Sequence, residues 1–150
     1  MPNVANIQLG VLTPSGEAAA SGREFVVDRS SMIQHYPGSC VIDSATRDSR
    51  RNPSTLLERG LALTLSTSTG RWTHVVSSST TVMGALDNEK GLDLLDQYGV
   101  VQHNDGGIVL IAGLVDAALV VYTDGTVVDA TSKAAMAAGQ NGCNLRSIAK

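Results

Sequence analysis

The stretch "LLERGLALTLSTSTGRWTHV", residues 56–75, carries the clearest fold signal in this chain. Alternate positions hold leucine, the period-two pattern of a strand with one apolar face: Leu61, Leu63 and Leu65. A Ser/Thr/Gly turn follows, and the chain returns through its only tryptophan, Trp72. The pattern predicts a β-hairpin at residues 60–76, closed at Gly70, with Trp72 in the core. The intervening positions are expected to face outward: Ala62, Thr64 and Ser66.

Length and composition define the class of protein. A chain of 150 residues fits one domain, which buries roughly 70% of its unfolded surface on folding. Aromatic residues make up only 3%, which disfavours stacking sites for sugars or bases. The net charge of -3 disfavours nonspecific nucleic-acid binding. Cys40 and Cys143 are too few for a disulfide framework, and we expect buried free thiols, with their pairing left open.

The first 30 residues form a predicted extended, flexible N-terminal arm, followed by a β-rich domain at residues 31–150. "TPSGEAAASGRE" is small and flexible, and the segment before it alternates apolar and polar residues. The apolar positions are the candidate binding residues: Ala5, Ile7, Leu9 and Val11. A lone strand is unstable, so this one needs an edge in its own sheet or in another protein. "MPNVANIQLG" lacks the features of a signal peptide, which predicts synthesis and residence in a cytoplasm.

The remaining elements are short. Strands are predicted at residues 24–28, 39–43 and 80–86, a helix within 87–99, and turns at 104–107 and 124–125. The apolar run 108–122 is too short for a membrane span and is divided by Gly113, where a bend or bulge is expected. "TSKAAMAAG" predicts a helix capped by Thr131 or Ser132 and ending at Gly139, and "CNLRSI" a last strand.

Motifs for catalysis and cofactors are missing. The histidines have no metal-ligand spacing, the serines lie in no hydrolase motif, and no phosphate-binding glycine loop occurs. Of all stretches in this sequence, "HNDGG" at residues 103–107 is the most similar to a catalytic site. The turn preferences of Asn, Asp and Gly explain it without catalysis. "RDSRR" at residues 47–51 is interpreted as a solvated loop, with contact to an acidic protein partner as the alternative. We therefore expect no enzyme, no metal and no cofactor.

From about residue 54 to 148, the order of these pieces resembles the lambda-type head decoration, or cementing, proteins of tailed bacteriophages. The matching pieces are Arg59-Gly60 before a strand, "TGRW" at residues 69–72, "IVLIAG" followed by "LVDAALV", and the closing "KAAMAAGQNGCNLRSI". Residues 87–107 depart from that pattern as an insertion, expected to be helical and polar. The predicted arm at residues 1–30 is similar to the N-terminal part of these proteins only in being a flexible arm.

The resemblance implies a mainly β fold with short helices (α+β), arranged as a compact β-clip-like or small-barrel domain that forms homotrimers. It implies a virion protein, made in the host bacterial cytoplasm, that binds the outer surface of the expanded head. There it would brace the major capsid protein against packaged DNA, with the arm adding a strand to the capsid. No nucleic-acid or membrane partner is expected.

Two alternatives remain from other functional classes. One is a trimeric nucleotide hydrolase resembling dUTPases, which share the clip-like architecture. Tyr122, Asp124 and Gly125 are faintly similar to the Gly-flanked hairpin of that family, which carries an Asp and a Tyr. The C-terminal stretch "NGCNLRSIAK" lacks the family's Gly-rich motif. A receptor- or glycan-binding β module on the virion surface is the third hypothesis, and it is disfavoured by the low aromatic content.

Overall fold

The computed structural model describes residues 25–28, 33–38, 40–77, 81–139 and 142–148. Within these residues the chain is mainly β with one α-helix, as predicted. The strands are β1 (Val26–Asp28), β2 (Gln34–His35), β3 (Cys40–Ile42), β4 (Leu56–Leu57), β5 (Ala62–Leu65), β6 (Trp72–His74), β7 (Gly84–Leu86), β8 (Leu92–Asp93), β9 (Asn104–Gly107), β10 (Val109–Asp116) and β11 (Asn144–Ile148). A 3-10 turn at Ala117–Leu119 follows β10, and α1 spans Ala130–Ala137.

One large sheet organises the described residues. Its strands run in the order β9-β3-β6-β5-β7-β10-β11, and β1 and β2 also pair with β10. The long strand β10 is therefore the central element, with antiparallel partners in β1, β2 and β7 and a parallel partner in β11. Strands β4 and β8 form a separate two-stranded antiparallel sheet.

The predicted hairpin is confirmed as β5 and β6, which are antiparallel with Leu63 opposite His74 and Leu65 opposite Trp72. Gly70 turns the chain with φ +70°, a left-handed value that glycine adopts without strain. Trp72 is buried as predicted, and the Tyr36 ring meets it edge-on at 5.3 Å between centroids.

The prediction that Ala62 faces outward is wrong, because the hairpin strand is buried on both faces. Leu61 and Leu63 pack in one apolar cluster with Trp72, whereas Ala62 packs in a second cluster with Phe25. The same division recurs in the neighbouring strands, where consecutive residues belong to opposite clusters: Ala85 and Leu86, and Leu110 and Val109. The central strands thus lie between two apolar layers, as near-continuous hydrophobic strands do.

The helix predicted within residues 87–99 is wrong: this segment contains turns and the short strand β8. Gly91 (φ +79°) and Gly99 (φ +78°) adopt left-handed values that a helix cannot contain. The Asp96 carboxylate accepts the backbone N–H groups of Val100 and Tyr98 at 2.9 and 2.8 Å. These bonds replace helical hydrogen bonds and lower the pKa of Asp96.

The C-terminal elements are confirmed, with one correction. Helix α1 is capped by Asp129, whose side chain accepts the Ser132 N–H at 2.9 Å, so the predicted cap at Thr131 or Ser132 is wrong. Gly139 follows the helix end with φ +80°. Gly113 does not interrupt β10, although the register shifts where β1 and β2 pair with this strand.

Candidate functional site

The predicted binding residues Ala5, Ile7, Leu9 and Val11 lie outside the described residues. The chain after them is firmly attached to the domain: β1 pairs with β10, and the Phe25 carbonyl accepts the Asp116 N–H at 2.9 Å. Phe25 and Val26 are both buried in the core. The N-terminal segment is therefore joined to the longest strand of the sheet.

Both ends of the large sheet present strand edges. Among the described strands, β9 ends the order on one side and β11 on the other, each with a single ladder partner. An edge strand offers unpaired N–H and C=O groups to another chain. Several large apolar side chains are also exposed on the surface: Tyr36, Val76, Tyr98, Val100, Ile108, Val127 and Ile148.

A half-open cleft of about 500 Å³ lies beside the start of β1. Its lining comes from five parts of the chain: Phe25, Arg50, Arg51, Glu58, Arg59, Glu89, Lys90, Gly91 and Leu119. Four of these residues are cations and two are carboxylates. We call this feature the arginine cleft.

Arg59 is fixed at the centre of the arginine cleft. Its Nε donates to Asp87 Oδ1 at 2.7 Å, and its guanidinium carbon lies 5.5 Å from the centre of the Phe25 ring. Asp87 is buried, and its second oxygen is 2.6 Å from His35 Nε2. His35, Asp87 and Arg59 therefore form a chain of charge-assisted hydrogen bonds across 52 residues of sequence.

The loop at residues 47–51 carries Arg47, Arg50 and Arg51. It is organised by Asp48, which is fully buried. Its carboxylate accepts Arg50 Nε and Nη2 at 3.0 and 2.7 Å and the Glu58 N–H at 2.9 Å. Arg50 also donates to the Glu58 and Arg59 carbonyls. The interpretation of "RDSRR" as a solvated loop is wrong, because Asp48 requires a buried partner and Arg50 supplies it.

Arg51 and Lys90 remain at the mouth of the arginine cleft. Arg51 is 43% exposed and reaches Glu58 Oε2 only at 3.9 Å, and Lys90 is exposed. Contacts of this length between solvated groups contribute little to stability. Both side chains are available for partners from outside the domain.

The histidines are hydrogen-bonded rather than grouped. His74 Nδ1 accepts the Arg47 N–H at 3.0 Å, and His103 Nδ1 accepts the Ser44 N–H at 2.9 Å. Burial, with a smaller effect from Arg47, lowers the pKa of His74. The described residues contain no group of three or more His, Cys, Asp or Glu placed to hold a metal ion.

The two glycine-flanked motifs have structural positions. "NDGG" forms strand β9 rather than the predicted turn, and a Cβ on Gly107 would lie 2.8 Å from the Cys40 carbonyl oxygen of β3. The turn at 124–125 is confirmed, with Gly125 at φ +85°. The Tyr122 hydroxyl is buried and donates to Ser132 Oγ at 2.9 Å, so it is committed to the core rather than to an open site.

The cysteines are free and buried, as predicted. Cys40 belongs to one apolar cluster and Cys143 to the other, and burial raises the pKa of both thiols. Thiols in this state are poor nucleophiles.

Comparisons with family models, curated proteins and solved structures give no match. Among the described residues, no helix has the length and apolar character needed to span a membrane.

Sequence reasoning did not identify Asp87 or Asp48 as organising residues. Asp87 begins the segment predicted as a helix, whereas in the structure it joins His35 and Arg59. Directly after Arg59, Gly60 has φ +95° and approaches Leu119 so closely that a Cβ would lie 2.0 Å from its carbonyl oxygen. The sequence shows only the Arg59-Gly60 pair; the close approach to Leu119 is a property of the fold.

Proposed function

We propose that this protein is a capsid decoration protein of a tailed bacteriophage. It binds as a homotrimer to the outer surface of the expanded head and stabilises the major capsid protein lattice against the pressure of packaged DNA. The observation that supports this most is the attachment of the chain after the predicted arm strand: Phe25 and β1 are fixed to β10, separated by thirteen residues from the alternating apolar strip at residues 5–11.

This attachment suits a strand that pairs with another protein. In β-strand addition, backbone hydrogen bonds supply affinity and alternate side chains supply specificity. Burying Ile7, Leu9 or Val11 contributes about 1.5–3 kcal/mol each, whereas ordering the backbone costs about 1–2 kcal/mol per residue. One arm is therefore marginal, and three arms from one trimer bind durably because the second and third attach intramolecularly.

The trimer is supported by the surface. Among the described residues, two sheet edges and several large apolar side chains face solvent, including Tyr98 at 80% exposure. Contacts between copies would cover part of this surface. We expect a trimer in solution or on the capsid, measured by light scattering and by a capsid reconstruction. Monomers or twofold dimers on the particle would contradict the proposal.

The arm is tested by opposite-face substitutions. Ile7→Asp with Leu9→Asp should abolish co-sedimentation with expanded capsids, because two charges then enter the apolar strip. Asn6→Asp with Gln8→Asp is the matched control: it adds the same charge on the other strand face and should retain most binding. Equal binding by both pairs, or undiminished binding after deletion of residues 1–12, would exclude the arm as the anchor.

A second experiment separates the arm from the scaffold. Leu63 is fully buried, and Leu63→Asp should prevent folding because it places a carboxylate in the apolar layer. Deletion of residues 1–12 should leave the cooperative unfolding transition in place. Loss of that transition on deletion would mean that the segment belongs to the fold rather than to the binding surface.

We further propose that the protein is not an enzyme. The Tyr122 hydroxyl is bonded inside the core, and the Asp124 carboxylate accepts from its neighbour Thr126 at 2.6 Å. The Tyr122 hydroxyl is therefore not free to contact a nucleotide, and Asp124 lacks that partner for positioning a substrate or water. Hydrolysis of dUTP that disappears in Asp124→Ala would overturn this proposal and favour the hydrolase alternative.

A further inference from the structure

The arginine cleft contains donors that the fold itself does not use. Arg59 is held at Nε by Asp87 and across its face by Phe25. Its two terminal nitrogens make no hydrogen bond within the part of the chain that the structure describes. Because its plane is fixed from two directions, the free edge presents two parallel N–H donors in a defined direction.

The walls of the cleft are rigid for a reason visible in the backbone. Gly60 and Gly91 both have left-handed φ values and touch neighbouring backbone: a Cβ would lie 2.0 Å from the Leu119 oxygen in one case and 2.4 Å from the Leu57 oxygen in the other. Asp48 fixes the preceding loop, which carries Arg50 and Arg51, through its bonds to Arg50 and to the Glu58 N–H. A site built this way loses little conformational entropy when a ligand enters.

We propose that the arginine cleft binds the carboxylate of an Asp or Glu side chain of another protein. Arg59 is the bidentate partner, and Arg51 and Lys90 are the flanking cations. Phe25 and Leu119 provide an apolar wall for the methylene groups that carry the carboxylate.

The charge balance favours a carboxylate over a phosphate. The cleft has four cations, but Glu58 and Glu89 share its rim, and Asp48 and Asp87 lie behind Arg50 and Arg59. Four cations and four carboxylates leave no excess positive charge to compensate a dianionic phosphate, whereas a carboxylate carries only one charge. The exposed, charged rim also differs from the enclosed apolar pockets that small ligands prefer, which indicates a protein partner.

This inference goes beyond capsid decoration and does not depend on it, because purified protein is sufficient for the test. The probe is capped aspartate (N-acetyl-aspartate N-methylamide), titrated into nitrogen-15-labelled protein while the Arg59 Nε–H and Gly91 N–H resonances are followed. We expect saturable shifts with this probe and none with capped asparagine, its neutral isostere. Inorganic phosphate is titrated in parallel and should bind more weakly.

Charge-matched variants locate the binding. Arg51→Gln and Lys90→Gln change exposed groups and should each weaken binding by about two- to fivefold. Arg59→Lys keeps the charge but loses the bidentate edge, and it should weaken binding by at least about tenfold. Arg146→Gln is the control, because it removes one charge from an exposed position on β11 outside the cleft and should leave binding unchanged.

Three results would overturn the proposal. One is a linear, unsaturated response to capped aspartate. Another is equal weakening by Arg146→Gln, which would assign the effect to net charge alone. The last is tighter binding of phosphate than of capped aspartate, which would assign the site to a phosphate-bearing partner.

Discussion

Replacing Asp48 by alanine should destabilise the domain more than any surface charge substitution. The side chain is fully buried and receives three hydrogen bonds from Arg50, at 2.7, 3.0 and 3.1 Å, and one from the Glu58 N–H at 2.9 Å. Removing one member of a buried charge pair costs about 3–5 kcal/mol, because the other is left without compensation. Arg50 retains 20% side-chain exposure and two carbonyl partners, which places the expected loss near the lower value.

Urea unfolding followed by Trp72 fluorescence measures this loss, since Trp72 is the only tryptophan and is 2% exposed. The cycle of Asp48→Ala, Arg50→Ala and the double variant should give a coupling energy above about 1.5 kcal/mol. Arg51→Ala is the control, and its loss should stay below about 0.5 kcal/mol. A loss under about 1 kcal/mol for Asp48→Ala, or additive effects in the cycle, would refute the reasoning.

Two further predictions concern the backbone and pH. Gly60→Ala should cost about 2–4 kcal/mol in the free energy of unfolding, because a left-handed residue would also press on the Leu119 oxygen. Gly70→Ala also places a side chain at a left-handed φ, +70°, but with open space around it, and should cost only about 1 kcal/mol; equal losses would contradict the packing argument. Because the pKa of His74 is lowered in the folded state, the unfolded state takes up this proton first as pH falls below about 6.5. The urea concentration at the unfolding midpoint should therefore decrease as the pH is lowered from about 7 to 5. His74→Asn keeps an acceptor near the position of Nδ1 and should make the midpoint less dependent on pH. An unchanged pH dependence would exclude His74 as the cause.

The elements that sequence predicted correctly are those fixed by local patterns. The hairpin at β5 and β6 needs only alternating apolar residues and Gly70 to turn the chain, and both are visible within 20 residues. Helix α1 follows from an alanine-rich run that ends at Gly139. In these segments local preference and tertiary packing agree.

The errors arose where side chains compete with local preference or where distant partners decide burial. In residues 87–99, Asp96 bonds to the neighbouring backbone, and Gly91 packs on the Leu57 carbonyl, which removes the helix that spacing suggested. Ala62 is buried because a second apolar layer covers its face, and that layer comes from remote parts of the chain. The spacing of apolar residues along the sequence gives no information about such distant neighbours.

The two candidate binding features differ in the same way in how far the sequence predicted them. The apolar strip of the arm could be read from the sequence, because alternation is local. The arginine cleft could not, since His35 and Asp87 are 52 residues apart and Asp87 bonds to both His35 and Arg59 only in the folded chain. A cluster of arginines in sequence indicates charge, but which guanidinium is buried, paired or free depends on the fold.

The arm and the arginine cleft meet at Phe25, which begins the described chain and also forms a wall of the cleft. The thirteen residues 12–24 separate the alternating strip from this point, and an extended chain of that length reaches at most about 45 Å. If both proposals hold, a partner held by the arm is confined near Arg59 at an effective concentration of about millimolar. A carboxylate contact too weak to hold a partner alone would then be largely occupied. Two modest contacts on one partner, repeated in each copy of a trimer, would give durable binding without a deep pocket or a large apolar interface.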